Sequence, residues 1–357
     1  MTQQTVYILS AVRTPLGCFQ GALSSLSSSD LAAIAFKEAV KRSSVNPQDI
    51  TEAILGNVLQ AGGGQNPCRQ AVLKAELPDS IACTSINKVC ASGLKAVSLA
   101  SASILSGDCE VVLAGGAESM SNAPYLLPKV RAGLRMGNAE VLDCMINDGL
   151  FDPSTNQHMG LNTETTAEEF NLTREAQDDY AERSYKMATE FWTNGNHEEI
   201  VPVTITVRGK LCQDENSQGL FQKDGTITPA NASAIGDGAA AFVLASAEYV
   251  QKHGLTPLAK VVCCADSGRD PLRFTIAPAI ACEKVLKRSV NEAFAAVVLA
   301  NVELLKLPMD KVNVVGGGIS LSHPLGASGA VRLVALIHAL KHGEKKNRFV
   351  YIVSRRR

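Results

Sequence analysis

Short continuous apolar runs alternate along the chain with longer segments whose apolar positions recur at helical spacing, and this rhythm predicts an α/β fold. Strands are expected at 6–9, 53–59, 111–114, 239–245, 259–264 and 312–315, with 349–353 as a last one. Gly115-Gly116 is expected to stop the third of these. Between them fall helices with recognisable ends. Asp30 can cap one over 31–42, and Asn66-Pro67 can open another that finishes before Pro78. A small-residue helix follows Cys90, with Leu94, Val97 and Ile104 at helical spacing, and Gly107 closes it. Pro278 can open a helix over 279–287; others are expected at 248–253, 292–305 and 328–342, the last closed by Gly343.

The rhythm weakens from Glu118 to about Asp224, where Met, Asn and Pro become frequent. Here Thr173 can cap one long helix carrying Ala176, Tyr180, Met187 and Phe191 on one side, and Val203, Ile205 and Val207 alternate as in a half-exposed strand. The expected organisation is a first α/β half over 1–120, an inserted segment over 121–224, a return to the first half over 225–253, and a second half over 254–357. One echo supports two similar halves. Cys90-Ala91-Ser92-Gly93 and Ala327-Ser328-Gly329 both open helices, which suggests two loops meeting at one site.

Composition narrows the functions. Hydrophobic residues are 46% and charged residues 19%, so the chain has the makings of a packed core. A net charge of −1 argues against nucleic-acid or membrane-surface binding. No apolar run is expected to reach membrane-spanning length, and no presequence is evident before Val6, which favours the cytoplasm, with mitochondria as the alternative. Ten cysteines occur without a C-x-x-C pair and without histidines at metal-ligand spacing, as in reduced thiols.

Cys90 stands where an extended segment turns into a helix. Helix N-termini favour a thiolate and offer N–H groups to an oxyanion, so Cys90 is the candidate nucleophile. Of the six histidines, His323, fixed between Ser322 and Pro324 in a glycine-rich loop, is the candidate base, with His158 as the other.

Seven motifs occur in order: Ala11-Val12-Arg13-Thr14-Pro15, Asn87-Lys88-Val89-Cys90-Ala91-Ser92-Gly93, Gly115-Gly116-Ala117-Glu118-Ser119-Met120, His158-Met159-Gly160, Asn231-Ala232-Ser233 with Asp237-Gly238-Ala239-Ala240, Asn291-Glu292-Ala293-Phe294, and Ser322-His323-Pro324. In this set the chain resembles the thiolase family, most nearly its acetoacetyl-CoA branch, from Val6 to about Gly343. The resemblance implies two similar halves stacked in five α-β-α-β-α layers with an inserted loop domain, and a homodimer or homotetramer. It implies that Cys90 carries an acetyl group as a thioester, that His323 activates Cys90 and serves the oxyanion, and that Asn291 holds a water completing that oxyanion hole. His158, Met159, Ser233, Phe274 and Tyr185 would line the substrate site. CoA would be a substrate beside acetyl-CoA and acetoacetyl-CoA, with no separate cofactor. Tyr185, Ala230, Ala232 and Ile319 match positions that bind potassium in some members.

The chain also departs from the pattern. The family carries a second cysteine in a Cys-x-Gly-Gly-Gly loop near its C-terminus, and no cysteine follows Cys282 here. The link between Lys287 and Asn291 is short, as is the segment Gly209 to Gln222, and Ser322 stands where a glycine usually precedes the histidine. Two further functions therefore stand beside the acetyltransferase: a catalytically impaired CoA-binding or oligomer subunit, and a 3-ketoacyl-CoA thiolase of broader chain length.

Overall fold

The computed structural model describes residues 5–195, 197–205, 225–285 and 291–342. In chain order the first half contributes β1 (Val6–Arg13), β2 (Gly17–Cys18), α1 (Ser28–Ser43), β3 (Glu52–Gly56), α2 (Pro67–Lys74), β4 (Ala82–Ile86), α3 (Ser92–Ser106) and β5 (Val111–Ser119). Two small ribbons follow, β6 (Tyr125–Leu126) with β7 (Leu142–Asp143), and β8 (Phe151–Asp152) with β9 (Gln157–His158). Then come α4 (Met159–Glu169), α5 (Arg174–Thr193), β10 (Gly236–Ser246), α6 (Ala247–Lys252), β11 (Ala259–Val261), α7 (Ala277–Val285), α8 (Ala295–Leu305), the one-turn α9 (Gly318–Leu321) and α10 (Leu325–His342).

One mixed sheet dominates, in the order β11-β1-β10-β5-β3-β4, with β2 paired to β10. β3, β4 and β5 run parallel, and β10 is antiparallel to both β5 and β1. β10 thus returns the chain to the sheet after a long excursion. β5 is buried along its whole length and β10 along all but its last residue, which is why Val111–Ala114 and Ala239–Ala245 are continuous apolar runs without alternation. Their side chains divide between the faces. Val111, Leu113, Ala239, Ala241 and Val243 pack with α1 and α2, whereas Val112, Ala114, Ala240, Phe242 and Leu244 pack with α3 and α10. A bulge in β1 between Ile8 and Ser10 resets the alternation, so Ala11 joins Ile8 on the α3/α10 face.

Several expected boundaries shift. α1 starts at Ser28 because Ser27 is its cap, with Asp30 closing the capping box from the third helical position. β5 continues through Gly115 and Gly116, since both glycines permit close backbone contact. The buried stripe of α5 is Gln177, Tyr180, Ala181, Ser184 and Ala188, not the side of Met187 and Phe191. β11 stops at Val261, and α8 begins at Ala295 because Glu292 is engaged elsewhere. Residues 312–315 form no strand; Val312 is buried, and only an isolated Val314–Gly316 bridge occurs. Val203 and Ile205 pack on the core without strand pairing, while Val207, 286–290 and 349–353 lie outside the described residues. His338, in the last turns of α10, is buried with Nε2 3.0 Å from the Ala11 carbonyl oxygen. Val89–Ser106 is, among the described residues, the one helix long and apolar enough to cross a membrane, contrary to the sequence expectation. It contains the core helix α3, which packs on one face of the sheet beside α10.

Candidate active site

Cys90 and His323 arrive at one point because α3 and α10 lie side by side on one face of the sheet with almost nothing between their first turns. A Cβ on Gly116 would lie 2.3 Å from the Gly326 carbonyl oxygen and 2.8 Å from the Gly93 Cα, and one on Gly93 would lie 2.9 Å from that same oxygen. Three elements meet backbone to backbone there, which no larger residue allows.

At this junction the Cys90 Sγ and His323 Nε2 are 3.2 Å apart. His323 is held from both ends. Its backbone N–H donates to the Ala234 carbonyl at 2.8 Å, and its Nδ1 lies 2.5 Å from the Ser328 Oγ. Ser328 donates its one hydroxyl hydrogen to the Pro324 carbonyl oxygen at 2.7 Å. Nδ1–H is therefore the donor to Ser328, which leaves Nε2 with the lone pair that faces the thiol. Ser92 plays a matching part in the Cys90 loop. Its hydroxyl accepts from the Lys88 N–H at 2.7 Å and donates to the Val89 carbonyl at 2.6 Å. Val89 sits at φ 49°, a left-handed conformation that strains a β-branched residue directly before the nucleophile. Lys88 and Lys95 both ion-pair with Asp266, fastening this loop to the segment after β11.

The electrostatics correct one expectation. Burial pushes the Cys90 thiol up to about 12, and the Glu118 carboxyl adds to this, while the backbone N–H of Cys90 itself pulls the other way. The helix end does not outweigh desolvation. His323 is held down at about 3, first by burial and then by the charge of buried Arg332. The resting pair is thus a neutral thiol donating to a neutral imidazole. Val58, Leu59, Met120 and Leu325 pack around it as an apolar floor.

The second half of the site is organised by Glu292, fully buried, which accepts from Tyr180 Oη at 2.6 Å, Ser184 Oγ at 2.7 Å, Asn313 Nδ2 at 2.9 Å and the Ile319 N–H at 3.4 Å. A Cβ on Gly317 would fall 1.8 Å from its Cδ. Glu292 so draws the segment from Asn291, the α9 turn and α5 together. Ser233 joins them, its N–H donating to the Ala293 carbonyl at 3.0 Å. Asn291 Oδ1 is buried with no hydrogen-bond partner among the described residues. Ser322 takes φ 86° and ψ 160°, a region otherwise used by glycine, and room for it comes from Gly236, where a Cβ would lie 1.9 Å from the Ser322 Oγ.

The remaining expected residues sit further out. His158 caps α4, its Nδ1 accepting from the Gly160 N–H at 3.0 Å, and Met159 opens that helix. The helical turn Met145–Leu150 just ahead of their ribbon reaches the Cys90 floor at Gly149, where a Cβ would meet Leu325 Cδ1 at 2.7 Å. Phe274 lies in the turn Pro271–Ile276, tied to α4 through Thr166 and Thr275 hydroxyls 2.5 Å apart. Ala232 and Ile319 are buried, whereas Tyr185 and Ala230 are exposed. Sequence reasoning assigned no role to Ser328, Glu292, Glu118 or Arg332. The only signal for Ser328 was its place in the repeated Ala-Ser-Gly.

Against known proteins, residues 6–248 match the thiolase N-terminal domain and residues 255–353 the thiolase C-terminal domain. The chain is 45% identical to the mitochondrial acetyl-CoA acetyltransferase of Bos taurus over 96% of its own length and 87% of the relative's. It is 44% identical to the cytosolic acetyl-CoA acetyltransferase ERG10 of Gibberella zeae, covering 96% and 93% of the two chains. Among solved structures it resembles the Acat5 thiolase of Ascaris suum in complex with coenzyme A, with a TM-score of 0.89 and 44% identity over 94% of this chain and 93% of that one. Both family domains are matched in sequence and the fold is matched in space, with Cys90 and His323 brought together where the two meet: the chain belongs to the thiolase family.

Proposed function

We propose that this chain is an acetyl-CoA C-acetyltransferase that works through an acetyl-Cys90 thioester, and the 3.2 Å contact between Cys90 Sγ and His323 Nε2 carries the reading. When the acetyl-CoA carbonyl carbon meets the sulfur, the thiol proton passes to Nε2 as the S–C bond forms. The imidazolium keeps its Nδ1–H on Ser328 and returns the Nε2 proton to the departing CoA sulfur, so a thiol and a thioester enter and a thioester and a thiol leave. A neutral resting pair suits this step, because charge appears only as the bond forms, close to the backbone N–H groups at the start of α3. Asn291 Oδ1, with no donor among the described residues, suits a water that would serve the oxyanion beside His323. His158, Met159, Ser233, Phe274 and Tyr185 are the proposed substrate contacts.

Forming or cleaving the carbon–carbon bond further requires a group that exchanges the α-proton, which is usually worth about 10² to 10⁴ in rate; the Cys90–His323 pair carries the acetylation half of the reaction. The test is intact-mass detection of acetyl-Cys90 in wild type and Cys90→Ala, run beside CoA-dependent cleavage of acetoacetyl-CoA. Labelling absent from wild type refutes the reading and leaves a CoA-binding subunit. Faster cleavage of longer 3-ketoacyl-CoAs points instead to the broader thiolase.

Tyr185, Ala230, Ala232 and Ile319 lie on segments that Glu292 and the Ser233–Ala293 bond draw together, and their neutral oxygens suit a monovalent cation such as potassium. A homo-oligomer is supported by β4, which forms the outer edge of the sheet with no strand on its far side among the described residues. Relatives carry both mitochondrial and cytosolic names.

A further inference from the structure

Glu118, the penultimate residue of β5, is fully buried, and each of its oxygens accepts two hydrogen bonds. Oε1 takes the Asn57 Nδ2 at 2.7 Å and the Leu59 N–H at 3.2 Å; Oε2 takes the Gly326 N–H at 2.8 Å and the Val58 N–H at 3.0 Å. All four partners are N–H donors, an arrangement that only a carboxylate satisfies in full. Gly326 lies in the first turn of α10, between His323 and Ser328, and a Cβ there would come within 2.9 Å of Oε2. Burial lifts this carboxyl to about 7 while the Gly326, Leu59 and Val58 N–H groups favour its charged form, and it joins the segment after β3, the end of β5 and the turn that aims the base. A buried carboxylate is costly to keep, and a purely apolar junction would be cheaper. The apolar floor beneath Cys90 already supplies such packing, so the charge needs a role of its own.

We propose that Glu118 is a positioning residue for the acyl-transfer pair: it fixes the first turn of α10 so that Ser328 and His323 hold Nε2 against the Cys90 thiol. The inference rests on the acetyltransferase reading only for its purpose, since the geometry it explains is that of the Cys–His pair itself. In Glu118→Gln an amide N–H replaces one acceptor and faces donors, which releases Gly326 and Val58 or Asn57 and Leu59.

The test is a double-mutant cycle read by the rate at which iodoacetamide alkylates Cys90, with Cys90→Ala as the blank. His323→Ala is expected to slow alkylation. Glu118→Gln is expected to slow it by about tenfold when His323 is present, and by less than about twofold in the His323→Ala background. An equal change in both backgrounds overturns the proposal, since Glu118 would then act on the fold at large or directly on the thiol through its charge. No change in the wild-type background, or none on removing His323, overturns it too. If Glu118→Gln loses its cooperative thermal transition, Glu118→Asp, one methylene shorter and still charged, goes through the same cycle with the same expectations. Alkylation needs no acyl-CoA, so a protein that passes this cycle yet never forms acetyl-Cys90 refutes the acetyltransferase reading and leaves the role of Glu118 standing.

Discussion

Gly116→Ala is expected to separate the catalytic pair with a single methyl group. The new Cβ would lie 2.3 Å from the Gly326 carbonyl oxygen, 2.8 Å from the Gly93 Cα and 3.1 Å from the Ala327 Cα, all of them backbone atoms. Ordinary contact begins near 3.4 Å, so the first turn of α10 must retreat by roughly 1 Å. Overfilling a packed junction costs about 1–3 kcal/mol of stability. The same turn carries Ser328 and through it His323, and a base misplaced by roughly 1 Å loses about 10²-fold in rate, or roughly 2.7 kcal/mol of barrier. Gly115→Ala is the control. Its Cβ would meet the Ala240 carbonyl oxygen at 2.4 Å and Phe36 Cε1 at 3.2 Å, on the α1 side of the sheet. Urea unfolding is expected to show comparable losses for both variants, while single-turnover acetylation of Cys90 slows only in folded Gly116→Ala. Equal acetylation rates in the two, or a Gly116→Ala protein as stable as wild type, would refute the argument that these glycines set the spacing of the pair.

Two more outcomes follow from the same site. Neutral His323 titrates near 3 in the folded protein against 6.5 for a free imidazole, so between these values the unfolded chain binds more protons. Stability from this residue is complete above about pH 6.5 and is lost as pH falls through about 3; His323→Asn is expected to flatten that limb by up to about 1.4 kcal/mol per pH unit in urea titrations at stepped pH. Ser322→Gly removes a strain worth about 1–3 kcal/mol but forfeits a 3.3 Å bond to the Ala234 carbonyl oxygen, worth about 0.5–1.5 kcal/mol, and about 0.4–1 kcal/mol of unfolded-state freedom. At mid-range the net is a gain of a few tenths of a kcal/mol, and a loss larger than about 1.5 kcal/mol would show that the loop is unstrained.

Much of the fold was legible because its signals are local. β5 and β10 carry the apolar runs Val111–Ala114 and Ala239–Ala245, α2 carries Asn66-Pro67 at its start, and Gly107 at φ 86° ends α3 as its sequence suggests. Cys90 and His323 were legible through the motifs around them. Gly115-Gly116 misled as a strand stop because a glycine pair marks a turn as readily as a close crossing, and only the approach of Gly326 decides between them. The acidity of Cys90 was misjudged for a related reason: a helix start is visible in sequence, the burial that outweighs it is not. Glu118 and Gly326 are 208 positions apart, so no local pattern announces their bond. Ser328 gains meaning only once the Pro324 carbonyl has claimed its hydrogen.

The neutral thiol also has a consequence outside turnover. Peroxides attack thiolates, and a sulfur held near 12 offers almost none at physiological pH. Cys90 should therefore outlast the exposed Cys18, Cys263 and Cys264 under oxidative stress, with the surface thiols oxidised first. The burial that suits acyl transfer also makes the nucleophile durable: the idle sulfur keeps its proton, and in turnover it yields that proton to His323 only as the S–C bond forms.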